Sequence, residues 1–230
     1  MADPQTGAAL MADLAPIEQT PLRVQVADAL RRAIITGKLR PGTVLVETAL
    51  AEQMNVSRAP IREAIQILEG DGLIETVAYK GKRVKPLTAR EVGETYGLRE
   101  VFEVLAVRRI LERRRPVGPL WEHCRAMEAA AAAGDREALT AADEAFHRTL
   151  IRLSDHDLLL TLWNSLYLRI HQIMALRNTA QPHLADVAAT HPPIVRALEA
   201  GDLDRAVRLI AEHTRSLADF DPASIAELNV

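Results

Sequence analysis

Apolar residues recur at helical spacing over most of this chain, and one short stretch breaks the rhythm. Leu22, Val26, Ala29, Leu30 and Ala33 mark a first helix, with Gly37 as its end signal and Arg40-Pro-Gly42 as a turn. A short helix follows from Glu47 to Met54, then a tight turn at Asn55-Val56. Ile61, Ala64, Ile65 and Leu68 then form one face of a third helix. Ser57 is placed to cap it, Pro60 falls in its first turn, and Gly70-Asp-Gly72 stops it. Leu73–Val77 and Lys82–Pro86 read as two short strands around a turn at Gly81.

From Arg90 onward only helical patterns appear. The first runs from about Ala89 to Arg115, with Leu98, Val101, Phe102 and Leu105 on its inward stripe, and Pro116-Val-Gly-Pro119 ends it. A second spans about Leu120–Ala133, and a third, capped by Asp135, reaches about Ser154. Asp157 opens a fourth, with Leu159, Leu162, Trp163, Leu166, Ile170 and Ile173 inward. A fifth lies between about Leu184 and Gly201, broken by Pro192-Pro193, and a sixth, capped by Asp202, ends near Phe220. The expected fold is mainly α. Residues 1–20 are a mobile tail, residues 21–88 a winged helix-turn-helix with a small β-hairpin, and residues 89–230 an all-α antiparallel helical bundle.

Two helices on a short turn, the second bearing Arg58 and Arg62 one turn apart at its start, suit insertion into the major groove of DNA. The hairpin then reads as a wing. Lys80, Lys82, Arg83 and Lys85 crowd its tip to meet phosphates, and Gly81 lets the backbone approach closely. Charge supports the division. Residues 19–88 hold 11 Lys+Arg and 7 Asp+Glu, a net +4, which leaves −7 for the rest of a chain of net charge −3. Every lysine lies at or before Lys85. The split points to a small nucleic-acid module joined to a domain with another task. No apolar run is long enough for a bilayer, no secretory leader is visible, and a single Cys124 allows no internal disulfide. A cytoplasmic protein with no membrane partner is expected.

In the bundle, the informative positions are polar residues on apolar stripes. Asp143 and His147 lie four apart on the stripe Leu139, Phe146, Leu150 and Leu153, and His213 interrupts Leu203, Ala206, Ile210 and Leu217. With His191, just before the diproline, they could close around one divalent ion, because neutral imidazoles and a carboxylate form a good ligand set. Zinc is the first expectation, with nickel and manganese open. The alternative is a hydrogen-bonded polar core without an ion. Arg99, beside the first bundle stripe, could hold an effector carboxylate, and Asn164 and His171, two turns apart, could line its cavity.

These motifs carry a resemblance. Gly37-Lys-Leu-Arg-Pro-Gly42, Leu50-Ala-Glu52, Val56–Ala64, Leu68-Glu-Gly-Asp-Gly-Leu73 and the Gly81 wing resemble the winged helix-turn-helix of the GntR family of bacterial transcription regulators. Thr48, near where some members carry an arginine, departs from it. Leu98–Glu103, Asp143-Glu-Ala-Phe-His147, His191 with Ala197–Asp202, and His213 resemble the FCD effector domain of the FadR-type branch, in its shorter, six-helix, VanR-like form. The resemblance implies operator contacts by Ser57, Arg58, Arg62 and the wing, and a metal held by Asp143, His147, His191 and His213. It also implies a homodimer on palindromic DNA, most simply a repressor, answering to a small organic acid. Pro192-Pro193 is the departure here: a residue before proline is pushed out of the α region, so His191 is expected in an extended backbone. Two rival readings give the ion other work. In one the bundle is a metal-dependent hydrolase, though no further carboxylate is placed as a general base; in the other the ion itself is the signal.

Overall fold

A computed structural model describes residues 20–180, 182–218 and 222. All of the expected tail except Thr20 lies outside the described residues. The N-terminal unit runs α1 (Leu22–Ile35), β1 (Val44–Leu45), α2 (Glu47–Met54), α3 (Arg58–Gly70), β2 (Ile74–Val77) and β3 (Gly81–Val84). Val26, Leu30 and Ile34 of α1 pack on Ile61, Ile65 and Leu68 of α3, with Leu73, Ile74 and Val84 closing the core. The expected hairpin pairs Ile74 with Val84 and Val77 with Gly81, antiparallel. A third strand, β1, extends it in the order β1-β3-β2. At two residues β1 is too short to show alternation, and its pairing comes from the long-range match of Val44 with Arg83. Ser57 occupies the cap position of α3 in extended backbone, but its side chain makes no cap hydrogen bond, contrary to the expectation.

The C-terminal unit runs α4 (Ala89–Glu112), α5 (Gly118–Ala133), α6 (Arg136–Leu153), α7 (Asp157–Ala180), α8 (Leu184–Ala189), α9 (Pro192–Glu199) and α10 (Leu203–Ala218). The fifth expected segment is therefore two helices, parted before the diproline. The expected end near Phe220 lies outside the described residues. Asp135 caps α6 by accepting from the Ala138 N–H at 2.9 Å, and Asp202 accepts from the Arg205 N–H at 3.0 Å. Thr88 and Glu91 form a capping box that starts α4. One core fills the bundle, with Phe146, Leu150, Leu120, Met127, Trp163, Ile194 and Ile210 at its centre. The two units meet where α1 packs on α7. Gly37 lies beside the Leu176 side chain at φ 77°, a backbone conformation that favours glycine.

One face is reversed from the expectation. The buried stripe of α4 is Val92, Tyr96, Arg99, Glu103, Ala106, Val107 and Ile110. Leu98, Val101 and Leu105 point outward, Val101 with 61 % of its surface exposed, and Phe102 is only half-buried. Leu162 of α7, expected inside, is also exposed, as is Leu158. Helices α4 and α7 lie antiparallel. Val92 and Tyr96 cluster with Ile173 and Leu176 at one end, and Arg109 donates to the Ser154 carbonyl oxygen at the other. The outward sets therefore adjoin on neighbouring helices, Leu105 lying nearest the level of Leu158 and Leu162. No helix among the described residues is long and apolar enough to cross a membrane.

Candidate metal centre and nucleic-acid interface

At the N-terminal end of α3, Arg58 and Arg62 extend into solvent, each side chain 59 % exposed, as DNA contacts require. Sequence reasoning missed that Glu47, the first residue of α2, lies between them. Its carboxylate takes Arg62 Nη2 at 3.1 Å and Arg58 Nη2 at 3.3 Å. The Arg62 hydrogen bond is the largest influence holding Glu47 below the usual carboxylate range. In the wing, Lys82 is drawn to Glu69 and Thr76, Arg83 to Glu75, and Lys85 to Glu91 at 2.9 Å. Lys80 and the wholly exposed Tyr79 form the tip, with Gly81 at φ 84° letting the strand turn.

In the bundle the four expected ligands come together. Asp143 and His147 from α6, His191 from the start of α9 and His213 from α10 are all buried, and their ligand atoms lie within 4.8 Å of one another. His191 Nε2 stands 3.0 Å from Asp143 Oδ1, and His147 Nε2 stands 3.3 Å from it. The Nε2 atoms of His147 and His191 are 3.4 Å apart, and those of His147 and His213 are 3.2 Å apart. Two donors each about 2.1 Å from one shared ion stand roughly 3.0–3.4 Å apart, so the spacing matches a metal. The outer nitrogens fix the tautomers. His191 Nδ1 is 3.0 Å from the Val187 carbonyl, which can only accept, so Nδ1 carries the hydrogen and Nε2 turns a lone pair inward. His147 Nδ1 faces the Glu103 carboxylate at 3.0 Å with the same consequence. Lone pairs converging with a carboxylate oxygen repel unless a cation sits among them, and this fits the residues to a divalent ion.

Electrostatics divide the histidines: burial and Arg99 oppose protonation of His147, but Glu103 and Asp143 outweigh them and raise the ring above the usual imidazole range. Burial drives His213 well below the ordinary imidazole range, and its histidine neighbours push the same way. Burial alone would raise Asp143, but the His147 and His191 rings beside it outweigh that and hold the carboxyl well below the usual range. Nor is His191 extended. Its backbone sits in the α region at φ −85° and ψ −44°, despite the following proline. Its ring donates through Nδ1 to the Val187 carbonyl oxygen and packs edge-on against Phe146, and this outweighs the local steric preference.

Arg99 is wholly buried beside this cluster. Its Nε donates to Glu103 Oε1 at 2.7 Å, and its guanidinium lies 5.0 Å from the centre of the Tyr96 ring. Among the described residues its Nη1 and Nη2 have no hydrogen-bond partner, nor have Tyr96 Oη and Asn178 Oδ1. Asn178 Nδ2 donates to Thr140 and, at 3.4 Å, to Asp143 Oδ2. Glu103, Tyr96 and Asn178 were not singled out from the sequence. Glu103, one turn beyond Arg99, could have been; Asn178 meets Asp143 across 35 residues of chain and could not. The other two expected effector residues do not join them. Asn164 is exposed on the outer side of α7, because that face carries no inward stripe. His171 bonds Tyr167 at 3.2 Å and lines a separate cleft of about 460 Å³ between α1 and helices α6 and α7.

The N-terminal unit matches the family model for bacterial regulatory proteins of the gntR family over residues 22–84, and the bundle matches the FCD domain over residues 94–216. The chain belongs to the GntR family. It is 32 % identical, over 90 % of its length and 91 % of the relative's, to a protein of Paenarthrobacter nicotinovorans named "Probable D-xylose utilization operon transcriptional repressor". It is 30 % identical to the gluconate operon transcriptional repressor of Bacillus licheniformis, over 79 % of this chain and 77 % of that one. A crystal structure of a GntR transcriptional regulator from Rhodococcus sp. RHA1 superimposes with a TM-score of 0.75 at 26 % identity, covering 92 % of this chain and all of the other. As a GntR-family member with an FCD domain, the protein is a DNA-binding transcriptional regulator with an effector-binding domain. The hydrolase reading finds no support, since these matches are regulators.

Proposed function

We propose that this GntR-family protein is a homodimeric repressor, working in the cytoplasm. It holds a divalent metal through Asp143, His147, His191 and His213 and is released from a palindromic operator by a small organic acid. The observation that carries this is the convergence of three imidazole nitrogens and a carboxylate oxygen beside a buried arginine with two unpartnered donors. A carboxylate can bind the metal with one oxygen and the Arg99 fork with the other. Burial opposes the Arg99 charge, but Glu103 outweighs it, so the guanidinium stays charged and ready for an anion. Repressor action is taken from the printed names of the relatives. Gluconate is itself an organic acid, which agrees with the class read from Arg99. Zinc is the first choice of ion, above nickel and manganese, for three nitrogens and one oxygen at this spacing.

The test is a screen of small organic acids, D-gluconate among them, for release of zinc-loaded protein from operator DNA. One carboxylate should release it, and Arg99→Met should need about 10- to 100-fold more of the same acid while still binding zinc, the loss of one charged hydrogen-bond pair. Release with equal potency from Arg99→Met contradicts the assignment.

The second copy is expected to cover Leu98, Val101 and Leu105 of α4 with Leu158 and Leu162 of α7. Five large apolar side chains on two adjoining helices form a patch that a symmetric partner buries. Val101→Asp should convert the dimer to a monomer in sedimentation and weaken operator binding in parallel, since each monomer then grips a single half-site. An unchanged dimer would place the interface elsewhere.

A further inference from the structure

One carboxylate serves both halves of the proposed site. Glu103 is wholly buried on the inward stripe of α4, one turn from Arg99. Its Oε1 accepts from Arg99 Nε at 2.7 Å, and its Oε2 accepts from His147 Nδ1 at 3.0 Å. A carboxylate paired with a buried arginine frequently takes the guanidinium fork with both oxygens. Here one oxygen goes to the histidine, and the two terminal arginine nitrogens have no hydrogen-bond partner among the described residues. We propose that Glu103, outside the ligand set, is the positioning residue of the metal centre. It fixes His147 with the Nε2 lone pair turned to the ion and holds the Arg99 fork open for the effector carboxylate.

This inference rests on the metal reading above and extends it. The buried Arg99 guanidinium at 2.7 Å is the counter-ion of Glu103 and makes it a charged acceptor. A charged acceptor on the outer nitrogen orients a ligating histidine and strengthens it as a donor to the metal. Because Glu103 divides its charge between His147 and Arg99, an anion arriving at Arg99 leaves more of that charge for His147. Metal and effector therefore reinforce one another, and reciprocity requires the effect in both directions.

The experiment is the zinc affinity of the full chain, measured by competition with a chromogenic chelator. Wild type, Glu103→Gln and the double variant Arg99→Met/Glu103→Met are compared. A glutamine amide has one acceptor for two donors, so one contact of Glu103 is lost whichever way it turns. Glu103→Gln should bind zinc about 10- to 100-fold more weakly, still one ion per chain, with a helical circular-dichroism spectrum like wild type. The visible absorption bands of the cobalt-substituted protein should shift, as they would not if Glu103 only supported the fold. If Glu103→Gln leaves Arg99 as an uncompensated buried charge and fails to fold, the double variant removes both charges and should show the same loss. Wild-type zinc affinity in a folded variant overturns the proposal. Wild type that binds no zinc instead overturns the metal reading beneath it, so the two failures are distinct.

Discussion

Stripping zinc from the metal-loaded protein should lower its melting temperature on the order of 10 °C, and zinc added back should restore it. A ligand that binds only the folded state stabilises by mass action, about 4 kcal/mol at a thousandfold excess over its dissociation constant. Each kcal/mol moves the melting temperature by roughly 2–4 °C in a protein of this size. The four proposed ligands come from α6, the start of α9 and α10, so an ion held there would tie together helices far apart in sequence, and its loss should be felt by the bundle as a whole. His213→Ala should remove the shift on chelation almost entirely. Among the described residues His213 is the one candidate ligand from α10, and its ring stands against His147 and His191. A chelator that leaves the melting temperature of zinc-loaded wild type unchanged would make the quartet a polar core network.

The second large effect lies at the other end of the molecule. Arg62→Ala should weaken binding to a selected operator by about 10- to 100-fold and relax preference at one base position, the cost of one bidentate arginine–guanine contact. Binding to random DNA should change little. Arg62 belongs to the exposed end of α3 and to no part of its buried face, so the fold should be unaffected. The reach of Arg62 is set by Glu47, which holds it and Arg58 near one point before DNA arrives. Lys80→Ala makes the contrast. It should weaken binding to all sequences alike and reduce the salt slope by about one, as a phosphate contact would. An Arg62→Ala protein that is folded and keeps full operator affinity would refute base reading by α3.

How much of this was legible in the sequence depended on range and on burial. The recognition helix could be read because its apolar face, its stop signal and its two arginines are all local. The clustering of the candidate quartet could be read because Asp143, His147 and His213 interrupt apolar stripes at helical spacing, where a polar residue needs a reason to be. The face of α4 was misread for the complementary reason. An apolar stripe is normally turned inward, but here Arg99 and Glu103 compensate each other inside, and Leu98, Val101 and Leu105 are left for another surface. Asn178 and the β1 pairing depend on partners tens of residues away and leave no periodic trace. His191 shows packing overriding a local rule, since a ring bonded to Val187 and packed on Phe146 and His213 sets a backbone that the following proline disfavours.

The most direct measurement is the metal content of the full chain after zinc loading and gel filtration, compared with His147→Ala treated identically. One zinc per wild-type chain and none in the folded variant is the result this account predicts. Wild type that emerges without zinc, or a variant that keeps it, would contradict the centre on which the proposed regulation depends.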